Sequence, residues 1–97
     1  MIRSFADSTT ADLFAERPTR AARRIPVTVW PVVRRKLKWL DVAARLSDLA
    51  SPPGNRLELL RGRLKGRYSI RVNDQYRLTF RWENGDAWEV CCEDYHA

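Results

Sequence analysis

The sequence predicts one two-layer α+β domain, spanning residues 1–97, with N-terminal helices packed on one face of a mostly antiparallel sheet. Length is the first reason, because two separate cores would leave each half near the roughly 40-residue limit below which staples are usually needed. The composition, 44% hydrophobic and 31% charged, supplies enough apolar side chains for one core. The apolar spacing also changes from a helical to an alternating period in mid-chain, which predicts helices first and a strand meander after them.

The first third of the chain contains one short predicted helix. Residues 1–5 are compatible with a short strand, and residues 7–10 supply several N-cap candidates. The apolar residues between positions 10 and 17 then predict a helix that ends before Pro18. Residues 17–24 are basic and contain this proline, so we expect a loop there.

The second predicted helix has the clearest periodicity. Thr28 is its expected N-cap, and Pro31 would occupy the third helical position, where its missing N–H has no helical partner anyway. Apolar residues recur every three or four positions, at Val29, Val33, Leu37, Leu40 and Ala44. We expect this helix to end around Ala44 or Arg45 and the Pro- and Gly-containing residues 51–55 to form a break.

Strands are predicted from residue 57 onward, because apolar and polar residues alternate there. The candidate strands are residues 57–61, 68–73, 76–82 and 88–93. Matching apolar residues across the turns pairs Val72 with Tyr76, Ile70 with Leu78, Tyr68 with Phe80, Trp82 with Trp88, and Phe80 with Val90. Both turns then need three residues, and a bulge is expected at Gly85.

The same register places the polar residues of these strands on the second face of the sheet. It sets Arg71 opposite Arg77, Arg77 opposite Glu93, and Arg81 opposite Glu89. We expect this second face to be rich in arginine and exposed to solvent.

Basic residues are concentrated in two blocks. The chain has 18 Lys and Arg against 12 Asp and Glu, for a net charge of +6. Residues 17–38 contain eight bases and no acid, residues 56–81 contain eight bases and two acids, and residues 82–97 contain five acids and no base. This distribution favours a nucleic acid or an acidic protein as partner, and a merely solubilising surface explains the charge about equally well.

Several classes of protein are disfavoured. No apolar run approaches the roughly 18 residues of a membrane span, and the first residues lack the apolar segment of a signal peptide, so we expect no membrane association. Cys91 and Cys92 are adjacent and lack Cys-x-x-Cys spacing, which predicts a cytoplasmic protein without a disulfide framework or a metal site. Residues 61–67 lack P-loop spacing, and no cofactor is expected.

The Arg71–Arg77 pair is the first candidate site. Like charges directly opposite each other destabilise a sheet, so either Glu93 neutralises one arginine or the pair cradles a phosphate. The loop over residues 61–67 adds four bases: Arg61, Arg63, Lys65 and Arg67. A phosphate-binding loop and a solvated loop account for them equally well.

The C-terminal residues are the second candidate site. Tyr95 continues the parity of the polar face, where its ring could stack on an unpaired base or simply end the strand. His96 has the opposite parity and reaches that face only if the chain turns, and a lone terminal histidine is usually solvated. Asp94 could orient either neighbour. A site with arginine, tyrosine and histidine but no metal is suited to phosphodiester transfer in RNA. In that reaction a 2′-hydroxyl attacks the adjacent phosphorus.

Several stretches of the chain resemble the HigB-like toxins of the RelE/ParE superfamily, also called proteic killer or plasmid-maintenance killer proteins. They are Pro-Gly-Asn-Arg-Leu-Glu at 53–58, Gly-Arg-Tyr-Ser-Ile-Arg-Val-Asn-Asp-Gln-Tyr-Arg at 66–77, and Gly-Asp-Ala at 85–87 with Glu-Asp-Tyr-His at 93–96. The start, Ile-Arg-Ser-Phe-Ala-Asp at 2–7, matches as well, so the resemblance covers nearly the whole chain.

The resemblance implies a RelE-like fold and the toxin of a type II toxin–antitoxin system. That toxin would be a ribosome-dependent, metal-independent endoribonuclease that cleaves mRNA codons in the A site and inhibits translation. The implied partner is a helix-turn-helix antitoxin of HigA type that binds operator DNA.

The resemblance also implies roles for individual residues. Arg77 would steady the charged phosphate in the transition state. Tyr95 and His96 would supply acid–base function or orient the substrate, with Asp94 in support. Arg61 stands at a family lysine position near the phosphate, and the expected RNA-binding set is Arg61, Lys65, Arg67 and Arg71.

Three positions depart from the family pattern. Arg63 stands where many members have Asp, Glu58 where some have His, and Ala97 follows the usually terminal His96. These departures bear on the acid–base assignment more than on the fold. Two alternatives stay open: a ParE-like toxin that inhibits DNA gyrase, against which the Asp-Tyr-His ending argues, and a non-catalytic RNA- or ribosome-binding module that uses the same arginines.

Overall fold

The helices come first along the chain and the strands follow, as the change of period predicts. The computed structural model describes residues 1–95. Its helices are α1 (Ser8–Phe14) and α2 (Trp30–Val42), and its strands are β1 (Glu58–Leu59), β2 (Tyr68–Arg71), β3 (Tyr76–Glu83) and β4 (Asp86–Asp94). Within these residues the strands form one antiparallel sheet in the order β1-β2-β3-β4. The α+β class is therefore confirmed.

Helix α1 is tied to the sheet by its first turn. The Asp7 carboxylate caps the helix by accepting the Thr10 N–H at 2.9 Å, so the helix begins two residues earlier than predicted. Thr10 Oγ1 accepts the Cys92 N–H of β4 at 2.8 Å, and Thr9 Oγ1 donates to the Ala21 carbonyl at 2.8 Å. These two buried threonines hold α1 between β4 and the loop that follows the helix.

Helix α2 begins later than predicted. A short 3₁₀ turn (Val27–Val29) precedes it, so that Val29 rather than Thr28 is the N-cap residue and Pro31 is the second helical residue. Trp30, the first helical residue, is buried, and its indole N–H donates to the Ile25 carbonyl at 2.8 Å. A buried tryptophan therefore fixes the start of this helix in place of a polar cap.

Helix α2 also ends earlier than predicted, at Val42. The backbone N–H groups of Ala44 and Arg45 both donate to the Asp48 carboxylate at 3.0 Å. Because this side chain satisfies two donors outside a helix, the backbone leaves the helical path before Ala44, which is exposed. Within residues 1–95 we find no helix with the length and hydropathy needed to cross a membrane.

Both helices pack on one face of the sheet and form a single apolar core with it, as predicted. Among the described residues, eight core side chains larger than alanine have no exposed surface: Leu13, Val33, Leu37, Leu40, Ile70, Leu78, Phe80 and Val90. Each contributes about 1.5–3 kcal/mol to folding through burial. The N-terminal segment lies beside β4 and bridges it in parallel at Ile2 and Phe5, where a short strand was expected.

The pairing of β2 with β3 is the predicted one. Ile70 faces Leu78, and Tyr68 faces Phe80. The pairing of β3 with β4 was predicted wrongly near its turn. Asn84 and Gly85 form a two-residue turn with φ values of 52° and 79°, which matches the natural twist of a hairpin better than a three-residue loop.

The expected bulge lies at Glu89 rather than Gly85, because the shorter turn moves the extra residue into β4. Glu89 has a φ of 52°, and the register shifts between Thr79 and Arg81. Trp88 consequently faces Arg81 on the polar side, 37% exposed, instead of facing Trp82 in the core.

Cys91 and Cys92 lie on opposite faces of β4, as the alternation predicts. Cys92 packs in the core, and Cys91 Sγ lies 3.4 Å from the Asp7 carboxylate. Burial raises the pKa of both thiols to about 12, and the charge of Asp7 adds to the effect. Both thiols are therefore protonated at neutral pH.

We expect the folded protein to resist alkylation by iodoacetamide at pH 8, because the thiolate is the reactive form and burial suppresses it. Mass spectrometry should find slow labelling under native conditions and rapid double labelling in guanidinium chloride. Equal rates in the two conditions would contradict the burial of these thiols.

Candidate site around Arg77

Arg77, at the start of β3, is the one arginine within residues 1–95 that is buried, with 9% of its surface exposed. Its Nε donates to Ser69 Oγ at 2.7 Å and its Nη2 to the Arg56 carbonyl at 2.6 Å. Nη1 has no acceptor in the described part of the chain, so its N–H groups remain available for a ligand. Desolvation lowers the pKa of Arg77, but a guanidinium starts so far above neutrality that it keeps its charge.

The polar face of the sheet is not exposed in the way the sequence suggested. Ser69 and Thr79 have no exposed surface. Arg67 lies across this face, where its Nη2 donates to Thr79 Oγ1 at 3.3 Å and to the Glu89 carbonyl at 2.5 Å. Long arginine side chains fold back over short hydroxyl residues and cover the face, because their stems are apolar and their charged ends find acceptors at its rim.

The Arg71–Arg77 pair occurs in the predicted register, but Glu93 does not neutralise it. Arg71 is paired with the exposed Asp74, and Arg77 Nη2 lies 3.9 Å from Glu58 Oε1. The Glu93 carboxylate instead accepts a hydrogen bond from Thr79 Oγ1. Each arginine therefore has its own carboxylate, from the adjoining turn for Arg71 and from β1, two strands away, for Arg77.

Glu58 is the site residue that sequence reasoning missed. Strand β1 pairs Glu58 with Ser69, which puts the carboxylate on the same face as Arg77. Its side chain is 54% exposed, so it can reach a ligand as well as the guanidinium. The pairing of a two-residue strand carries almost no sequence signal, and the identity of residue 58 attracted notice only as a departure from a family pattern.

Tyr95 lies where its parity predicts. The Arg77 guanidinium carbon is 5.7 Å from the centroid of the Tyr95 ring, and the Tyr95 N–H donates to the Gln75 carbonyl at 2.5 Å. The ring is 41% exposed, so one part of it contacts Arg77 while another faces solvent. This contact is a cation–π interaction that also places an aromatic surface beside the candidate phosphate site.

The remaining predicted residues are less tightly grouped. Asp94 Oδ2 accepts a hydrogen bond from Gln75 Nε2 at 3.1 Å, which ties the end of β4 to the β2–β3 turn. The predicted catalytic residue His96 lies outside the described residues. Arg61 and Lys65 are exposed and line an apolar groove of about 490 Å³ next to β1, separate from the Arg77 contacts.

A buried polar network supports the backbone that holds Arg77. Lys36 of α2 is 6% exposed, and its Nζ donates to Asn55 Oδ1. The Asn55 amide in turn donates to the Leu49 carbonyl at 3.2 Å and the Ser51 carbonyl at 3.4 Å. The next residue, Arg56, adopts a φ of 45° and presents its carbonyl to Arg77. Helix α2 thus positions the Arg77 acceptor through Asn55.

The described residues offer no ready ligand set for a metal, since no three His, Cys, Asp or Glu side chains converge between residues 1 and 95. The expectation of a metal-free site stays a prediction.

Comparison with known proteins identifies the family. A family model described as the RelE-like toxin of type II toxin–antitoxin system HigB matches residues 3–96. The chain belongs to this family of HigB-like toxins. It is 55% identical to Toxin HigB-1 of Vibrio cholerae over 65 residues, which are 67% of this chain and 68% of that protein. It is 31% identical to Endoribonuclease HigB of Proteus vulgaris over 96 residues, which are 99% of this chain and 100% of that protein.

The fold of this HigB-like toxin is also found among solved structures. A chain of the YoeB–YefM complex from Staphylococcus aureus superposes with a TM-score of 0.59 at 16% identity, over 100% of this chain and 99% of that chain. The RelE-like fold that the residues suggested is therefore confirmed. At this identity the likeness concerns the fold alone.

We expect Asn55→Ala to destabilise the toxin by about 2–4 kcal/mol, because Lys36 would keep its buried charge without an acceptor. Urea unfolding of the two proteins followed by tryptophan fluorescence measures the difference. The double variant Lys36→Met with Asn55→Leu is the control. It removes charge and acceptor together and should recover much of the loss, whereas equal losses in both variants would contradict the network.

Proposed function

We propose that this HigB-like toxin is an endoribonuclease that cleaves mRNA codons in the ribosomal A site and so inhibits translation. The observation that carries the proposal is the buried Arg77, with a carboxylate and an aromatic ring gathered around it. Support also comes from family membership and from a full-length relative whose name is Endoribonuclease HigB. Dependence on the ribosome rests on the family resemblance.

The proposed reaction is an attack of the 2′-hydroxyl on the adjacent phosphorus, which yields a 2′,3′-cyclic phosphate and a free 5′-hydroxyl. Negative charge grows on the non-bridging oxygens, and a fixed cation stabilises it best where water is excluded. Arg77 is suited to this role because Ser69 and Arg56 hold two of its nitrogens and leave Nη1 to donate. No metal or cofactor is part of the proposed reaction.

We assign the proton transfers to the groups nearest Arg77 and to the C-terminal histidine. The Glu58 carboxylate, 3.9 Å from Arg77, would take the proton of the 2′-hydroxyl. His96 would donate a proton to the departing 5′-oxygen. Tyr95 would stack on the base beside the cleaved bond, and Asp94 would support the histidine. Arg61, Lys65, Arg67 and Arg71 would contact neighbouring phosphates, with the exposed Arg61 and Lys65 the most available.

The partner we propose is an antitoxin of HigA type, with a helix-turn-helix domain that binds operator DNA. The net charge of +6 favours an acidic partner surface, and the structural neighbours are toxins in YoeB–YefM complexes. A protein that meets ribosomes would act in the cytoplasm, as the cysteine pattern suggested.

We expect Arg77→Lys to reduce mRNA cleavage about 10²–10³-fold, because a lysine keeps one charge but cannot hold three partners in one plane. Primer extension on an mRNA translated in vitro with purified toxin measures the cut sites. Arg81→Lys is the matched control, since Arg81 is exposed and pairs with Glu89 and Glu83 on the same strand face.

Two results would overturn the nuclease assignment. One is intact mRNA with the wild-type toxin, and the other is unchanged cleavage after both Arg77→Lys and His96→Ala. Inhibition of gyrase supercoiling in place of cleavage would move the toxin to the ParE-like alternative.

We expect Glu58→Gln to lower the cleavage rate by about 10²–10⁴-fold while ribosome binding is kept, because the amide cannot accept the proton. Glu83→Gln serves as the control at an exposed carboxylate of β3. Adding formate to Glu58→Ala should restore part of the rate if Glu58 is the base. If formate restores no activity and Glu58→Ala also has a lowered midpoint of unfolding, Glu58 is only a structural partner of Arg77.

A further inference from the structure

Two groups of arginines in this toxin differ in how their charge is compensated. Those of the sheet all have a carboxylate partner: Arg67 with Glu89, Arg71 with Asp74, Arg77 with Glu58, and Arg81 with Glu83 and Glu89. Those between α1 and the middle of α2 mostly do not. Within residues 1–95, Arg17 is the one base of residues 17–38 that forms an ion pair, with Asp12 at 3.2 Å.

Three other arginines of this second group are held by neutral groups. Arg23 Nη1 donates to the Pro18 carbonyl at 2.6 Å, and Arg34 Nε donates to the Leu13 carbonyl at 3.1 Å. Arg35 lies 5.8 Å from the centroid of the Trp39 ring. Carbonyls and rings orient a guanidinium without neutralising it. Much of the net charge of +6 is therefore carried uncompensated on this side of the molecule.

Part of this charge surrounds a concave surface. Arg20, Ala21, Arg23 and Arg24 line a cavity of about 710 Å³ in the loop that joins the two helices. Arg20, Arg23 and Arg24 are exposed, and neither Arg20 nor Arg24 contacts a carboxylate in the described part of the chain. None of the described residues that line this cavity has a large apolar side chain.

The cavity is built on a fixed backbone rather than on a loose loop. A 3₁₀ turn (Ala22–Arg24) forms its wall, and Ala22 at the start of the turn is fully buried. Thr9 Oγ1 donates to the Ala21 carbonyl at 2.8 Å, and the Ala22 N–H donates to Thr19 Oγ1 at 3.1 Å. The three arginines are thus spaced by contacts with α1, which lowers the entropy that a ligand would have to remove.

We propose that Arg20, Arg23 and Arg24 form a binding site for the phosphodiester backbone of a nucleic acid, separate from the Arg77 site. Guanidinium groups bind phosphate oxygens in pairs, and a backbone presents phosphates in a row. An acidic protein surface fits less well, because protein interfaces centre on apolar and aromatic side chains, which this cavity lacks. The site would bind structured RNA or DNA outside the cleavage site, and this binding does not depend on the cleavage reaction.

The test compares two double variants with the same loss of charge. Arg20→Gln with Arg24→Gln removes the two unpaired arginines of the cavity, and Arg3→Gln with Arg81→Gln removes two arginines that are paired with carboxylates. Fluorescence anisotropy measures binding to a labelled RNA duplex, a labelled DNA duplex and poly-glutamate over a range of salt concentrations.

We expect the cavity variant to lose at least about tenfold in affinity for a nucleic acid and to flatten the slope of log K against log salt by about one to two units, as two lost phosphate contacts require. The control variant should change both quantities little. The measurements with RNA and with DNA show which nucleic acid the site prefers, and loss of binding to either one supports the proposed site.

Equal losses in the two variants would overturn the site, because they would show a response to net charge alone. Loss of poly-glutamate binding with both nucleic acids unaffected would also overturn it. Arg77→Lys separates this test from the proposed nuclease, since it should impair cleavage and leave duplex binding intact.

Discussion

The burial of one guanidinium group is the constraint around which this toxin is arranged. Arg77 lies beneath its neighbours with 9% of its surface exposed, and a charge so placed is tolerated only when its donors are satisfied. Ser69 on β2 and the carbonyl of Arg56 satisfy two of them. The second acceptor is backbone, so the segment before β1 must be held at a fixed distance from β3. Asn55 provides this support because it is anchored to α2 through Lys36.

The positioning of Arg77 therefore depends on a second buried cation, Lys36. Lys36 is 6% exposed, and desolvation, followed by the nearby charges of Arg35 and Arg71, lowers its pKa. Desolvation likewise lowers the pKa of Arg77. The folded state therefore contains positive charges that favour release of a proton or arrival of an anion. A bound phosphate would relieve the electrostatic strain at Arg77, which connects the stability of the fold to its proposed function.

The sequence predicted those parts of the fold that depend on local pattern. Apolar alternation was enough for the β2–β3 register, since Ile70, Leu78 and Phe80 could pair in one way. The same alternation gave the wrong register at the β3–β4 turn, because Asn84 and Gly85 favour a two-residue turn. With the bulge that follows in β4, Trp88 lies on the polar face of the sheet instead of in the core. Turn chemistry outweighed the matching of two tryptophans across the strands.

The candidate site could be predicted only where strand parity placed its residues. Tyr95 and Arg77 follow from alternation along β4 and β3, and the structure brings them to 5.7 Å. Glu58 could not be found in this way, because its place depends on a two-residue strand and on a chain that crosses from α2. The burial of Lys36 could not be predicted either. A lysine within a run of basic residues is normally expected to be solvated, and its buried partner Asn55 is known only from the structure.

The pairing of charges explains why a net charge of +6 could not be interpreted from composition alone. In the sheet, carboxylates from the acidic C-terminal strand and from β1 compensate the arginines, so that sequence-distant acids and bases cancel once the chain folds. Between the helices, Asp12 is the one acid of the described chain that forms an ion pair with a base, and Arg17 and Thr19 already occupy it. Folding therefore pairs the arginines of β2 and β3 with acids, while unpaired bases of the described chain remain on the helical side and in the 61–65 loop. A polyanion would thus be attracted by these unpaired bases, while the enclosed Arg77 contributes specificity at one phosphate rather than long-range attraction.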